Sequence, residues 1–464
     1  MGTLDMRLAV IGGGYVGLTT SACFAELGHD VTCVEADPRR IAVLQDGGVP
    51  IYEQGLQELT QKNRSAGRLT FSSKIGNAAG DADAVFLAVG TPSGPDGDID
   101  LSYVEAAVRQ LAGYLKRDAV VVVKSTVVAG TARHLSRLLI RERAGRRVSV
   151  ASNPEFLREG TAIDDFMNAD RIVAGVDDDW SAERLRQIYA PLRSRGIPYL
   201  EMSTSDAELV KYAANAFLAL KLGFINGVAD LCEAASGDIR SVASGIGLDR
   251  RIGEAFLSPG PGYGGSCFPK DTRAFAALGK RHGVRQWLVE RLIEENEARK
   301  RNLAQRIIDD LGSGVDRSRI AVLGLSFKSG TDDVRESAAL TIIPLLQAAG
   351  ATVYAHDPRA SGCAAEHLRD VRFRDGAYQA CADADALVIL TEWGEYRELD
   401  LKRLAAVMRG RKIFDYRNLL DSLEVRRHGF HYRPIGQSTV QYDAAANEGY
   451  GWPPVDDRAA AYPA

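Results

Sequence analysis

The hydrophobic positions in the N-terminal part of the chain form short continuous runs, separated by stretches in which apolar residues recur every three or four positions. The runs lie at 7–11, 31–35, 85–89, 120–123, 148–151 and 172–174. Continuous apolar strands that alternate with helices are typical of a parallel sheet covered on both faces. We therefore predict a doubly wound α/β domain over residues 1–203.

The periodicity changes near residue 204. Ser205 and Glu208 fit the S-x-x-E capping box that marks a helix start. Apolar residues then repeat at helical spacing to about Ala235 without a proline, which predicts a helix roughly 45 Å long. One compact domain does not require such a length, so we predict a helical middle domain over residues 204–305, with this helix as a spine between two lobes.

A second alternation of strands and helices begins at residue 319. Apolar runs at 320–324 and 352–355 flank a helical stretch, and the sequence at 382–391 resembles that at 80–89. The pattern predicts an α/β fold with two Rossmann-like doubly wound lobes joined by a helical middle domain with a long central helix. The second lobe covers 306–437, and the polar, Ala-rich residues 438–464 are predicted to form a mobile tail.

Composition and charge narrow the class of protein. The 464 residues carry 57 Lys and Arg against 61 Asp and Glu, a net charge of −4, so we expect no nucleic-acid partner and no anionic membrane surface. No run of 18 apolar residues and no signal-peptide pattern is present, so no membrane segment is expected. None of the six cysteines is spaced as C-x-x-C. Together these features predict a cytoplasmic protein with reduced thiols.

A glycine-rich turn follows the first predicted strand. Gly12, Gly14 and Gly17 fit G-x-G-x-x-G, the turn that brings backbone close to the pyrophosphate of a dinucleotide. Glu35 ends the second strand, where a carboxylate binds the ribose hydroxyls and disfavours a 2′-phosphate. This context favours NAD over NADP; the alternative is a glycine turn without a ligand.

A second glycine cluster precedes a cysteine. Four glycines fall within residues 260–265, and Cys267 follows with Lys270 and Asp271 beside it. Nearby cations stabilise a thiolate, so Cys267 is a candidate nucleophile. A tight turn around a buried thiol explains the same pattern.

Two pairs of polar residues recur at a spacing of four. Lys211 and Asn215 share a face of the long helix, where they could stabilise an oxyanion or form a solvated pair. Glu155 and Glu159 could place a carboxylate near a reacting water, or simply form a polar helical turn. No metal or serine-hydrolase motif is present, so no metal is expected.

In the second lobe a single glycine, Gly324, stands where the fingerprint would be, which argues against a second dinucleotide. Lys328 and Arg335 could meet the phosphates of another nucleotide or lie in a solvated basic loop. A dinucleotide site together with a nucleophilic cysteine suits the oxidation of an alcohol to a carboxylate. The aldehyde formed first is captured as a thiohemiacetal, oxidised to a thioester and released by water.

Several motifs in this order resemble those of the UDP-glucose/GDP-mannose dehydrogenase family over about residues 6–436. They lie at residues 12–17, 86–92, 124–126, 153–160, 211–215, 262–271 and 324–328. The resemblance implies four-electron oxidation of UDP-glucose to UDP-glucuronate by NAD. It also implies a homodimer in which Arg251 reaches the neighbouring active site.

The resemblance further implies roles for single residues. Cys267 would be the nucleophile, Lys211 and Asn215 would steady the oxyanion, Asp271 would position Lys211 or water, and Thr126 and Glu155 would hold or activate water. The implied cofactor ligands are Gly12, Gly14, Tyr15, Val16, Gly17, Glu35, Arg40, Thr91, Thr126, Glu159, Lys270 and Arg335. The implied substrate ligands are Glu155, Phe156, Leu157, Lys211, Asn215, Arg251, Tyr263, Gly264, Phe327, Lys328 and Arg417.

Three alternatives stay open at this point. The same chemistry could act on UDP-N-acetyl-mannosamine, UDP-N-acetyl-glucosamine or GDP-mannose. A two-electron dehydrogenase of the 3-hydroxyacid or 6-phosphogluconate type shares the lobe plan but needs neither a cysteine nor residues 319–436. An NAD-sensing protein would keep the glycine turn without Cys267, Lys211 and Asp271.

Overall fold

The computed structural model describes residues 5–94, 96–142 and 147–438. The predicted tail at 438–464 therefore lies outside the described residues, except for residue 438 itself. Within these ranges the chain forms two sheets joined by a set of longer helices, and the predicted fold class is confirmed. The domain boundaries remain a prediction, and the one placed at residue 305 falls inside a helix that ends at Leu311.

The first sheet has eight strands in the order β3-β2-β1-β4-β5-β6-β7-β8. They are β1 (Arg7–Ile11), β2 (Asp30–Val34), β3 (Leu69–Ser72), β4 (Ala84–Leu87), β5 (Ala119–Val123), β6 (Val148–Ser152), β7 (Ile172–Gly175) and β8 (Tyr199–Met202). The pairings are parallel except that of β6 with β7. The central strands β4 and β5 are buried at every position, which is why they appear in the sequence as unbroken apolar runs.

Helices cover both faces of this sheet, and two separate clusters of buried residues fill the space beneath them. The helices are α1 (Tyr15–Glu26), α2 (Pro38–Gln45), α3 (Leu56–Ser65), α4 (Ile75–Ala79), α5 (Ser102–Ala112), α6 (Thr131–Glu142), α7 (Ala162–Met167), α8 (Asp179–Ile188) and α9 (Ala190–Arg193).

The middle of the chain is helical, with α10 (Thr204–Ala234), α11 (Ile239–Gly247), α12 (Phe268–Arg281) and α13 (Trp287–Leu311), followed by a 3₁₀ turn at Gly312–Arg317. The N-terminal half of α10 packs on the first sheet, whereas Ile225 and Ala229 in its C-terminal half belong to the core of the second lobe. The long helix is therefore a spine between the lobes. By length and composition α10 is apolar enough to cross a membrane, since its mean hydropathy is 1.2. However, its polar residues Glu208, Lys211 and Asn215 are buried against the rest of the protein.

The capping box predicted at Ser205 and Glu208 is wrong. Ser203 is the N-cap, and its hydroxyl accepts from the Asp206 N–H at 3.2 Å. Glu208 instead reaches out of its helix and accepts the N–H groups of Gly130 and Ala132, at 2.6 and 2.7 Å. These N–H groups at the start of α6 have no partner within their own helix. Glu208 therefore accepts hydrogen bonds from α6 and does not cap its own helix.

The second sheet has six parallel strands in the order β11-β10-β9-β12-β13-β14. They are β9 (Arg319–Leu323), β10 (Thr352–His356), β11 (Arg372–Phe373), β12 (Ala386–Ile389), β13 (Lys412–Asp415) and β14 (His431–Pro434). Its helices are α14 (Ala339–Ala348), α15 (Ser361–Ala365), α16 (Ala377–Cys381), α17 (Gly394–Arg397), α18 (Leu401–Val407) and α19 (Ser422–Arg427). In both sheets the central strands run parallel, so loops with polar residues gather at the carboxyl edge of each lobe.

Candidate functional site

In the glycine turn after β1, backbone atoms lie as close to the glycines as the motif predicts. A Cβ on Gly12, whose φ is +104°, would lie 2.6 Å from the Ala88 carbonyl oxygen. A Cβ on Gly17 would lie 1.8 Å from the Gly12 carbonyl oxygen, so strand and helix touch there. Gly14 caps α1 and faces open space, with no atom within 4 Å of its missing Cβ. The exposed backbone at a helix N-terminus fits a pyrophosphate.

Glu35 lies beside this turn, directly after β2. Its carboxylate accepts the Asp37 N–H at 2.9 Å and pairs with Arg40 at 3.2 Å. Arg40 also donates to the Gly13 carbonyl oxygen at 2.9 Å, so its guanidinium is held inside the turn. A carboxylate in front of the turn fits the hydroxyls of a ribose and repels a phosphate, which agrees with NAD.

Other predicted cofactor ligands lie around the same edge. Thr91 and Thr126 are half-buried in the loops that follow β4 and β5; β4 pairs with β1 in the sheet, and β5 pairs with β4. Tyr15 begins α1, and its hydroxyl donates to Glu53 and accepts the Gly160 N–H at 3.1 Å. Val16 is half-buried on the same helix.

A cleft of about 1110 Å³ lies between the lobes, lined by all three parts of the chain. The predicted site residues that line it are Glu155, Phe156, Leu157, Glu159, Lys211, Asn215, Tyr263, Gly264, Cys267, Phe327, Lys328 and Arg417. Arg251 is not among them: its side chain is 89% exposed and pairs with Asp249 at 2.6 Å.

Cys267 is placed at the N-terminus of α12, where it is the N-cap residue. Burial raises the pKa of its thiol, while the nearby Lys211 ammonium lowers it and Glu155 and Asp271 raise it further. The net effect leaves the thiol protonated at neutral pH. The loop before it is pinned to the second lobe, since the Gly265 N–H donates to the Arg335 carbonyl oxygen at 2.8 Å.

Lys211 and Glu155 form a buried ion pair at the centre of the cleft. Lys211 Nζ lies 3.1 Å from Glu155 Oε1, and both side chains are at most 5% exposed. Burial by itself lowers the pKa of Lys211, but the charges of Glu155 and Asp271, with the hydrogen bond to Glu155, outweigh it and the pKa is raised. Lys211 is therefore a fixed cation, suited to an oxygen that gains negative charge. The second Glu155 oxygen accepts the Leu157 N–H at 2.6 Å, and Phe156 lies under Lys211, its ring centroid 5.3 Å from Nζ.

Asp271 is hydrogen-bonded to Asn215 and Lys270, whereas the resemblance implies that it positions Lys211 or water. Its two oxygens accept from Asn215 Nδ2 and Lys270 Nζ, each at 2.5 Å. Lys270 and Asp271 are adjacent on the first turn of α12, and Asn215 lies one turn beyond Lys211 on α10. Asp271 thus orients the amide of Asn215 instead.

Glu159 connects all three parts of the chain. Its oxygens accept from the hydroxyl of Ser266 at 3.0 Å and from that of Thr331 at 2.8 Å. Arg335, which pairs with Asp333 at 2.7 Å, lies 3.6 Å from the same carboxylate. Burial, with Asp333 acting in the same direction, raises the pKa of Glu159 to about 7.

The second lobe contributes the opposite wall. The Phe327 ring packs against Gly265, where a Cβ would lie 2.7 Å from it, and Gly264 is similarly close to the Glu336 carbonyl oxygen. Arg417 donates to the Phe327 and Leu390 carbonyl oxygens at 2.8 and 2.7 Å. Tyr263 is buried, and its N–H donates to Asn296 at 2.8 Å.

Sequence reasoning missed two side chains in the cleft. Ser266 bridges Glu159 and Cys267, and its position directly before the candidate nucleophile was the available signal. Lys124 is 4% exposed at the end of β5, and burial lowers its pKa to about 8 although Glu155 opposes the shift. A lysine that ends an all-apolar strand was the signal there.

Three family models match the chain in order. They describe the UDP-glucose/GDP-mannose dehydrogenase family, with its NAD binding domain over residues 6–193, its central domain over 205–298 and its UDP binding domain over 321–422.

Proteins of known name and structure are similar over most of the chain. UDP-glucose 6-dehydrogenase of Rhizobium meliloti (strain 1021) is 46% identical over 435 residues, which are 93% of this chain and 100% of the relative. The structure of a UDP-glucose dehydrogenase from the hyperthermophilic archaeon Pyrobaculum islandicum matches with a TM-score of 0.87 and 39% identity, covering 94% of this chain and 99% of that chain. The structure of a UDP-D-ManNAc dehydrogenase from Pyrococcus horikoshii matches with a TM-score of 0.83 and 27% identity, covering 94% and 100%.

Proposed function

The chain belongs to the UDP-glucose/GDP-mannose dehydrogenase family, and on that premise we propose that it oxidises UDP-glucose to UDP-glucuronate in two steps at one site. It is an NAD-dependent oxidoreductase. The observation that carries the proposal is the buried cluster of Cys267, Lys211 and Asn215 in the cleft between the two lobes, with Asp271 hydrogen-bonded to Asn215.

The choice of UDP-glucose rests on the relatives. Those named for UDP-glucose are 46% and 39% identical to this chain, whereas the relative named for UDP-D-ManNAc is 27% identical. The second lobe matches the UDP binding domain of the family, which agrees with a uridine nucleotide.

The cofactor accepts the two electrons and hydrogen removed in each oxidation. The backbone at Gly12, Gly14 and Gly17 would hold its pyrophosphate, and Glu35 its adenosine ribose. The primary alcohol of the glucose would face Lys211 and Asn215, which donate to its oxygen. Its proton would leave through water held by Thr126 and Glu155.

Cys267 would then attack the aldehyde. The sulfur lone pair forms the C–S bond, and the carbonyl electron pair moves onto oxygen, where Lys211 and Asn215 stabilise the negative charge. Asp271 supports this step indirectly because it accepts from Asn215 and fixes the direction of its amide. Oxidation of the thiohemiacetal gives a thioester, which holds the carbon at the acid level until water attacks.

Hydrolysis of the thioester would release the product. Glu155 is the proposed proton acceptor for the attacking water, since its carboxylate lies against Lys211 and beside the nucleophile. Water adds to the thioester carbon, the C–S bond breaks, and the thiol regains a proton. Tyr263, Phe327, Lys328 and Arg417 would hold the nucleotide sugar during both oxidations.

A homodimer is part of the proposal. Phe217, Phe224 and Leu231 recur every seven residues on α10, and each is at least 63% exposed, which leaves an apolar stripe along one face of the helix. Arg251, exposed on a neighbouring loop, would reach the substrate of the partner subunit. The cytoplasm would supply NAD and keep Cys267 reduced.

The reaction stoichiometry tests the proposal. Purified protein receives a limiting amount of UDP-glucose with excess NAD, and NADH is measured per substrate consumed. We expect two NADH for each UDP-glucose and UDP-glucuronate as the product. One NADH with an aldehyde or ketone product would contradict the four-electron reaction, and turnover only with another nucleotide sugar would reassign the substrate.

A further inference from the structure

The hydroxyl of Ser266 lies between the Cys267 thiol and the Glu159 carboxylate. Ser266 Oγ donates to Glu159 Oε1 at 3.0 Å and lies 3.4 Å from Cys267 Sγ. A serine hydroxyl carries a single proton, and here that proton points to Glu159. The thiol is therefore the donor in the second contact, and the three groups form one continuous chain from sulfur to carboxylate.

The two carboxylates whose charges raise the pKa of Cys267, Glu155 and Asp271, have their oxygens directed elsewhere. Glu155 accepts from Lys211 and from the Leu157 N–H, and Asp271 accepts from Asn215 and Lys270. In the described part of the chain, residues 5–94, 96–142 and 147–438, the hydrogen-bond partner of the Cys267 thiol is Ser266. The hydrogen bonds therefore lead the thiol proton toward Glu159.

The surroundings of Glu159 suit a group that takes and returns a proton near neutral pH. Burial and the charge of Asp333 raise its pKa to about 7, while Thr331, Arg335 and Ser266 oppose the shift. Lys328 from the second lobe and Tyr15 from α1 are the other titratable groups that face it. A proton acceptor works best when its pKa lies close to the working pH.

Building on the proposed function, we propose that Ser266 relays the proton of the Cys267 thiol to Glu159 as the sulfur adds to the aldehyde. The S–H bond breaks as the C–S bond forms, the thiol proton moves to Ser266 Oγ, and the Ser266 proton moves to Glu159 Oε1. The carbonyl electron pair moves to the substrate oxygen, and no group is oxidised in this step. When the thioester is hydrolysed the same path runs backwards and reprotonates the departing sulfur.

The first test needs neither substrate nor cofactor. Modification of Cys267 by iodoacetamide is followed against pH by peptide mass spectrometry, with Cys363, half-buried in the second lobe, as the internal reference. Once the thiol has ionised, the Ser266 hydroxyl donates to the thiolate instead, and this contact lowers the pKa of Cys267. In Ser266→Ala the midpoint should therefore rise by about one pH unit, and Ser266→Thr should restore it. Glu159→Gln removes a carboxylate that is separated from the thiol by one hydroxyl, so the midpoint of Cys267 in this variant should fall.

The second test separates the two oxidations in a single turnover at saturating NAD. The first NADH does not require the thiol, so it should form at an unchanged rate in Ser266→Ala. The second NADH should form about 100-fold more slowly, the scale of a lost general-base contribution, and Ser266→Thr should recover it. In the parent protein the second rate should rise with pH through a midpoint near 7, as Glu159 becomes a carboxylate. In Ser266→Ala the rate of the second NADH should rise only at alkaline pH, because the thiol must then ionise without the relay.

Glu159→Gln distinguishes the relay from a simple effect on the pKa of Cys267. In this variant the Cys267 thiol should ionise at lower pH in the iodoacetamide experiment, and yet the second NADH should form more slowly. Thr331→Ala, which removes the other hydroxyl on Glu159, is the matched control and should change the second rate by less than about 3-fold. An unchanged iodoacetamide profile in Ser266→Ala would overturn the relay whether or not UDP-glucose is oxidised. Equal slowing of both NADH steps without recovery in Ser266→Thr would assign Ser266 a structural role instead. Absence of the first NADH in the parent protein would reject the proposed function, not the relay.

Discussion

At the scale of single residues, the pKa of the proposed nucleophile, Cys267, depends on opposing effects of burial and charge. The low dielectric around Cys267 disfavours its thiolate, and the fixed cation of Lys211 only partly offsets this. A permanently ionised thiolate would also be exposed to oxidants. The protonated thiol is protected until an aldehyde arrives, which makes deprotonation part of the attack.

Cys267→Ser should separate the two oxidations. The first NADH should form normally, because alcohol oxidation does not use the sulfur, while the second should slow by roughly three orders of magnitude, the scale of losing an enzyme nucleophile. Stopped-flow absorbance of NADH measures both. Cys363→Ser is the control for general effects of a cysteine change and should behave like the parent. Normal production of the second NADH in Cys267→Ser would remove this residue from the mechanism.

At the scale of elements, α10 positions the catalytic side chains because its N-terminal half is fixed to the first lobe. Glu208 provides one such attachment, since its carboxylate receives the N–H groups of Gly130 and Ala132 at the start of α6. Lys211 and Asn215 follow within two helical turns. Any movement of α10 relative to α6 therefore displaces the groups proposed to bind the oxyanion.

Glu208 should make stability depend on pH. Burial raises its pKa from 4.5 to about 7, against the opposing N–H groups, so the folded state binds this proton more tightly than the unfolded state. Protonation of Glu208 contributes at most about 3 kcal/mol to the free energy of unfolding. This contribution is fully present below about pH 4.5 and is lost as the pH rises toward 7. The free energy of unfolding is measured with urea at pH 5 and pH 8 for the parent protein and for Glu208→Gln. It should fall less between pH 5 and pH 8 in the variant than in the parent.

Glu58→Gln, a change at an exposed position of α3, is the control and should keep the parent's pH dependence. Glu208→Gln also loses one accepted hydrogen bond, so it should be less stable than the parent at pH 5 by about 1–3 kcal/mol. Identical pH dependence in the parent and in Glu208→Gln would contradict the assigned role of this carboxylate.

At the scale of the whole molecule, the active site needs three parts of the chain, and the exposed stripe on α10 points to a second copy. Phe224 lies in the middle of this stripe and is 63% exposed. Apolar side chains repeated along one helix face are normally covered in the functional assembly.

If the proposed homodimer forms through this stripe, Phe224→Asp should convert it to a monomer, because a charge buried in an apolar interface has no partner. Sedimentation velocity at micromolar concentration measures the change. Leu423→Asp, at a comparably exposed position on α19, should leave the dimer intact. A monomeric parent protein, or a dimeric Phe224→Asp variant, would contradict the proposed interface.

The order of elements and the nature of the cofactor turn followed from the sequence alone. Continuous apolar runs at 7–11 and 120–123 became strands β1 and β5, and the glycines at 12, 14 and 17 became the predicted tight turn. These features depend on neighbouring positions, because strand burial, helical spacing and a glycine's missing Cβ act within a few residues. The cysteine loop was recognisable for the same reason.

Only the tertiary structure decided which polar groups meet. Lys211 with Glu155 and Asn215 with Asp271 each join residues 56 positions apart, and Ser266 with Glu159 joins residues 107 apart. Local spacing predicted a cap for Glu208, which was wrong because a partner from another element lay closer. The resemblance implied that Asp271 positions Lys211 or water, and in the fold its oxygens accept from Asn215 and Lys270. Such pairings depend on how two lobes pack around one helix. The sequence therefore determined the kinds of groups in the site, and the fold determined which of them are hydrogen-bonded to one another.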